Sequence, residues 1–202
     1  MLIERPPWLY RAIFRGAIWR IPQSGKCVYL TFDDGPVPEV TPWVLDTLAA
    51  YGVKGTFFCV GDNVRKYPEI FDMITARGHT VGNHTYNHIK GTHFRSKNYV
   101  KNVDRAAELI HSNLFRPPHG HMRLPQLYRL RKKYRIIMWD VVTRDYSPHM
   151  TAHGVFRVVR KYTRNGSIIV FHDSLKALER IKTALPMAIE WLRDEGYRFG
   201  TL

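Results

Sequence analysis

Cys27-Val28-Tyr29-Leu30-Thr31-Phe32-Asp33-Asp34-Gly35-Pro36 is a run of apolar, β-branched and aromatic residues that stops at two carboxylates and a Gly-Pro break. Its length and composition are those of a buried strand, which Gly35-Pro36 ends. Soon after, Thr41 reads as an N-cap and Pro42 as the first residue of a helix carrying apolar Val44, Leu45 and Leu48. Strand then helix is the unit of parallel βα folds, and it recurs. Further strands are expected at 55–60, 79–82, 114–116, 135–139, 167–171 and 197–199, and helices over roughly 64–76, 98–111, 125–133, 151–164 and 175–194. Such a series either closes into a barrel or lies open as a doubly wound sheet. In both, ligands bind at the C-terminal ends of the strands.

The chain of 202 residues is 45% hydrophobic and 24% charged, too apolar for disorder and long enough for one core. Its 31 Lys and Arg against 17 Asp and Glu give a net charge of +14, which favours an anionic neighbour such as a membrane face, a cell-wall polymer or a nucleic acid. No nucleic-acid-binding motif accompanies the charge, so nucleic acid is not expected as a partner. No apolar run approaches the roughly 18 to 20 residues of a spanning helix. Cys27 and Cys59, at opposite ends of neighbouring parallel strands, would lie roughly 13 Å apart, too far for a disulfide.

The strand ends carry an unusual set of groups: Asp33 and Asp34, His84, Arg116, Asp140 and Asp145, and His172-Asp173. His84 and His88 are spaced i, i+4, which on one helical turn makes a metal pincer; the alternative is a surface pair. Two imidazoles and one carboxylate with an open position can activate water. Adjacent Asp33 and Asp34 would point to opposite faces of a continuing strand, but the turn at Gly35-Pro36 lets one ligate and leaves the other free to take a proton. The alternative is a turn with solvated carboxylates. His172, at the end of a buried strand, suits a proton donor kept charged by Asp145, the alternative being a satisfied core histidine. Arg116 can hold an aspartate ionised, and Gly120 permits close backbone approach for an oxyanion donor.

Thr31-Phe32-Asp33-Asp34-Gly35-Pro36, His84-Thr85-Tyr86-Asn87-His88, Arg116-Pro117-Pro118-His119-Gly120, Asp145-Tyr146 and Val170-Phe171-His172-Asp173 together resemble the five motifs of the polysaccharide deacetylases, carbohydrate esterase family 4. The resemblance covers about 27–202. It implies an α/β fold, a distorted (β/α)7 TIM-like barrel of parallel strands. It also implies metal-dependent hydrolysis of N-acetyl groups on amino-sugar units of a polymer or oligosaccharide, peptidoglycan-like or chitin-like. Carried over, it makes Asp34, His84 and His88 ligands of a divalent ion, Zn2+ foremost with Co2+ or Ni2+ as substitutes. Asp33 would be the base tuned by Arg116, and His172 the acid tuned by Asp145. The His119 backbone N–H would be the oxyanion donor. His119 stands where the family usually has Tyr or Phe, and Tyr146 where it usually has Trp, so the resemblance leaves acyl and sugar preference open. An O-acetyl esterase, a non-sugar amide hydrolase and a non-catalytic glycan- or membrane-binding barrel are the competing readings.

Residues 1–26 interleave Arg5, Arg11, Arg15, Arg20 and Lys26 with Trp8, Leu9, Tyr10, Ile13, Phe14, Ile18 and Trp19. The arginines interrupt the apolar stretch that a cleavable signal needs. The segment reads as basic and amphipathic, set on or beside the barrel of 27–202. It would lie on an anionic membrane surface or pack its aromatic side across the barrel bottom. The expectation is a cytoplasmic protein or one peripheral at a membrane surface, with no obligate protein partner.

Overall fold

The computed structural model describes residues 4–202; residues 1–3 of the N-terminal segment lie outside the described residues. From the amino terminus, helix α1 (Trp8–Ile13) and a two-residue strand β1 (Ala17–Ile18) precede the Cys27–Asp33 strand, β2. Then follow α2 (Thr41–Ala50), β3 (Thr56–Cys59), α3 (Gly61–Lys66), α4 (Pro68–Ala76), β4 (Thr80–Asn83) and α5 (Ser96–Ala107). After β5 (Leu114–Phe115) come α6 (Leu124–Leu130), β6 (Arg135–Ile137) and β7 (Val141–Val142). The chain ends with α7 (Ala152–Tyr162), β8 (Ser167–His172), α8 (Leu178–Asp194) and β9 (Arg198–Gly200). All seven expected strands form, and every pairing between strands is parallel. The fold is the distorted parallel βα barrel that the motifs imply.

β2 is buried at all seven residues because both its faces are covered. Alternation sends Val28, Leu30 and Phe32 outward into a core shared with Leu45 of α2, Val159 of α7 and Leu185 of α8. Cys27 and Tyr29 turn inward and fill the lower barrel with Phe58, Leu114, Ile137 and Ile168. Thr31 and Asp33 share that inward face higher up, so a packed floor supports a polar rim.

Ring closure comes from one stretch split in two. β6 pairs with β5 while β7, three residues further on, pairs with β8. In the gap left below, β1 pairs with β6 and Arg20 bridges Ser167 of β8. A second wedge, β9, takes the lower half of the β2 edge whose upper half pairs with β3.

Three local expectations are corrected. The expected helix over 64–76 is two, because Pro68 forces Tyr67 out of helical geometry (φ −132°, ψ 56°). Thr41 is the first helical residue and not the N-cap; its hydroxyl accepts from Val37 N–H and donates to Asp173. The aromatic side of 1–26 packs along the barrel wall and not across its base: Phe14 and Trp19 are buried against Leu127 and Leu130 of α6 and Ile136 of β6. Trp8, Leu9 and Ile13 remain exposed. No helix among the described residues is long and apolar enough to cross a membrane.

Asp140, which follows an expected strand end, lies outside the functional rim. It is fully buried and accepts from Arg11 at 2.6 Å, from Arg164 twice at 2.9 Å and from Ser167 at 2.9 Å. Burial alone would raise this carboxyl, but the Arg164 and Arg11 bonds outweigh it and hold it down to about 2. We expect Asp140→Asn to leave three arginines, Arg5, Arg11 and Arg164, without their shared counter-charge. The cost should be about 3 kcal/mol, a Tm loss of roughly 6–12 °C in thermal unfolding. Because the folded-state value lies below the unfolded one, the wild type should lose the same contribution as pH falls below about 4 toward 2.

Candidate active site

β2 and β8 run side by side with Asp33 opposite His172. Both side chains leave the strands on the inward face, so alternation alone brings two titratable groups to one rim. Asp34 escapes the alternation: its φ of 87° swings the chain out of the strand. Gly35 is required there, because a Cβ would lie 1.9 Å from the Asp173 carboxylate, which accepts from Gly35 N–H at 3.0 Å and from Thr41 Oγ at 2.7 Å. Burial, with the charge of Asp34, pushes the Asp173 carboxyl up to about 8. Asp173 and Thr41 are supports of the site that the motif reading did not assign. The visible signal was position: next to inward His172, Asp173 must point outward.

His84 and His88 are brought together by a loop and not by a helical turn, with Thr85 at φ 66° and His88 at φ 52°. Asn83 Oδ1 accepts from Thr85 N–H, and Asn102 Oδ1 accepts from Tyr86 and Asn87 N–H, which together wire the loop in place. His84 Nδ1 lies 2.8 Å from the Arg116 carbonyl. Since a carbonyl only accepts, Nδ1 carries the proton and Nε2 keeps its lone pair. Burial lowers His84 to about 4, so the ring is neutral, as a metal ligand must be. Asp34 Oδ1 stands 3.1 Å from His88 Nε2 and 3.7 Å from His84 Nε2. One ligand atom from each of the three lies within 4.8 Å of the others. Ligands about 2 Å from a tetrahedral ion are about 3.3 Å apart, so this donor set fits a divalent ion such as zinc.

Arg116 is fully buried and stacks 4.0 Å over Phe58. It donates to Asp33 at 2.6 Å, Thr31 at 2.8 Å and the Met138 carbonyl at 3.1 Å. On the other side, Asp145 holds His172 at two points, accepting from its backbone N–H and bonding its Nδ1, each at 2.7 Å. Burial alone would lower this imidazole, but the charge and hydrogen bond of Asp145, helped by Asp34 and Asp33, hold it up at about 9. His172 is therefore a cation with an N–H left over for the pocket. Tyr146 packs edge-on against it at 4.8 Å.

His119 and Gly120 both have positive φ, 58° and 68°. A Cβ on Gly120 would come within 2.3 Å of the Trp139 ring, so only glycine fits. The His119 ring packs edge-on to His88 at 4.7 Å, and burial lowers it to about 4. Asp34, Thr85, His88, His119 and Arg144 are the five non-glycine residues with positive φ among the described residues, and all belong to or adjoin this site. Backbone strain concentrated in one place is a mark of a functional site. The groups open onto a cavity of about 360 Å3, whose wall includes Tyr146, Trp139, Pro6 and Tyr10.

Residues 20–137 match the family model for polysaccharide deacetylases. A peptidoglycan-N-acetylglucosamine deacetylase of Bacillus cereus is 34% identical over 189 residues, covering 90% of this chain and 68% of its own. A solved peptidoglycan N-acetylglucosamine deacetylase in complex with an N-oxidanyl-benzamide compound superposes with a TM-score of 0.87 at 31% identity, covering 98% of this chain and 95% of its own. A Bacillus anthracis protein described as a pseudoenzyme of carbohydrate esterase family 4 has a TM-score of 0.79 at 25% identity, covering 92% of this chain and 67% of its own. The fold is thus compatible with activity and with its loss.

Proposed function

Since the chain belongs to the polysaccharide deacetylase family, we propose that it hydrolyses the N-acetyl amides of amino-sugar units in a peptidoglycan-like or chitin-like glycan, using a divalent ion held by Asp34, His84 and His88. One observation carries this reading: a carboxylate backed by Arg116 and an imidazolium backed by Asp145 flank that ligand set from adjacent strands. A non-catalytic binder has no use for a base and an acid so opposed.

When bound, the ion supplies Lewis-acid polarisation of the acetyl carbonyl and makes water a better nucleophile. Asp33 accepts the proton of the attacking water; Arg116 fixes which oxygen it presents. The His119 N–H donates to the oxygen that becomes negative as the carbonyl carbon turns tetrahedral. His172 then gives its proton to the amine nitrogen as the C–N bond breaks, yielding acetate and a free amine. His119 and Tyr146 shape the wall beside the acyl group and sugar.

The test is acetate release from N-acetylglucosamine oligomers, peptidoglycan and acetylated xylan by chelated protein with and without zinc or cobalt. Metal-dependent release from the amino-sugar substrates is expected. Release from xylan alone would make the protein an O-acetyl esterase.

The acid has its own signature. The reaction needs His172 protonated, so activity should fall as pH rises through the His172 value that the charge and hydrogen bond of Asp145 hold up. Asp145→Asn removes the charge that opposes burial. The alkaline limb of the kcat/KM profile should therefore move down by at least one pH unit. An unmoved limb would assign the acid elsewhere.

A further inference from the structure

The family match begins at residue 20, yet a residue before it reaches the site. The Tyr10 hydroxyl donates to the Gly120 carbonyl at 2.5 Å, across 110 residues of sequence. It is the one side-chain hydrogen bond received by the backbone of 117–120 among the described residues. Burial raises the Tyr10 phenol above its ordinary value, so it remains a donor.

The receiving loop needs such a hold. His119 and Gly120 are consecutive left-handed residues; glycine takes this conformation freely, but a residue with a Cβ such as His119 keeps it only where surroundings enforce it. Gly120 N–H and His121 N–H bond back to the Pro117 and Pro118 carbonyls at 3.0 and 3.1 Å, Gly91 N–H bonds the His121 carbonyl at 3.0 Å, Trp139 packs against Gly120, and Tyr10 holds the Gly120 carbonyl. Tyr10 is itself held. Its ring packs on Phe14 at 4.9 Å and edge-on to Trp19 at 5.7 Å, and neighbouring Arg11 is clamped to buried Asp140 at 2.6 Å. Two cations of the N-terminal segment turn inward, Arg5 and Arg11, which both reach Asp140, while Arg15 and Lys26 stay exposed.

We propose that Tyr10 is a positioning residue for the His119–Gly120 loop, and that the N-terminal segment is thereby a working part of the site. The inference rests on the deacetylase reading in that the His119 N–H is the oxyanion donor. Substrate binding before the carbonyl turns tetrahedral should not sense a small error in that donor; the transition state should.

The experiment compares wild type, Tyr10→Phe and Trp8→Ala, an exposed change on the same helix. It measures kcat and KM on an N-acetylglucosamine oligomer, zinc affinity, Tm, and backbone amide exchange at 119–121 in the metal-free protein. Tyr10→Phe is expected to lower kcat about tenfold with KM and zinc affinity within about twofold, and to speed amide exchange by about tenfold or more; Trp8→Ala should match wild type. Unchanged kcat and exchange in Tyr10→Phe, with an active wild type, would overturn the inference and leave the deacetylase reading standing. If the wild type released no acetate from any substrate, the deacetylase reading would fail. Amide exchange would then decide alone: faster exchange in Tyr10→Phe upholds the hold on the loop, and unchanged exchange overturns it.

Discussion

Asp33→Asn is expected to lower kcat about a thousandfold on an amino-sugar oligomer while KM and zinc affinity stay close to wild type. The substitution keeps shape and one oxygen acceptor for Arg116 but removes the lone pair that takes the proton. Asp33 lies among side chains that cannot replace it: Arg116 is a permanent donor and Thr31 Oγ already accepts from it. The change also leaves the fully buried Arg116 without its counter-charge, so a loss of thermal stability should accompany the loss of rate. Near-UV circular dichroism and zinc binding separate the two effects. A folded, zinc-loaded Asp33→Asn protein within tenfold of wild-type kcat would dismiss Asp33 as the base.

The second large effect is removal of the ion. Chelated protein should release no acetate above background, and one equivalent of zinc or cobalt should restore it. His84→Ala should lower zinc affinity by about a hundredfold or more and resist rescue at stoichiometric metal. Of the three proposed ligands His84 is the most informative to remove, because the Arg116 carbonyl fixes its tautomer and leaves Nε2 with its lone pair. Full activity in protein shown by elemental analysis to be metal-free would sink the hydrolytic scheme.

These groups differ in how far local sequence foretells them. Asp33 and His172 were legible, because a strand has period two and a buried parallel strand announces itself by apolar residues and a terminal break. The pair His84 and His88 was legible as residues but not as local structure: an i, i+4 spacing suits a helix, and the loop that makes the contact depends on Asn102, a residue of α5. Thr41 had the composition of a cap, yet the buried carboxylate of Asp173 engages its hydroxyl from far along the chain.

By itself the sequence determined the alternation of strand and helix from β2 onward, apart from the break at Pro68 and the short β7, and the rim on which Asp33, Asp34, His84, Arg116, Asp145 and His172 fall. Those depend on short-range alternation, turn residues and adjacent motifs. Only the tertiary structure decided that the sheet closes, because closure needs one stretch to pair with β5 through Arg135–Ile137 and with β8 through Val141–Val142. It also decided that Asp140 gathers Arg11 and Arg164, and that Tyr10 holds Gly120. Such contacts join residues separated by tens to more than a hundred positions, and no periodicity encodes them. They exist because folding removes those groups from water together, and a buried charge or strained loop persists only where a distant partner meets it.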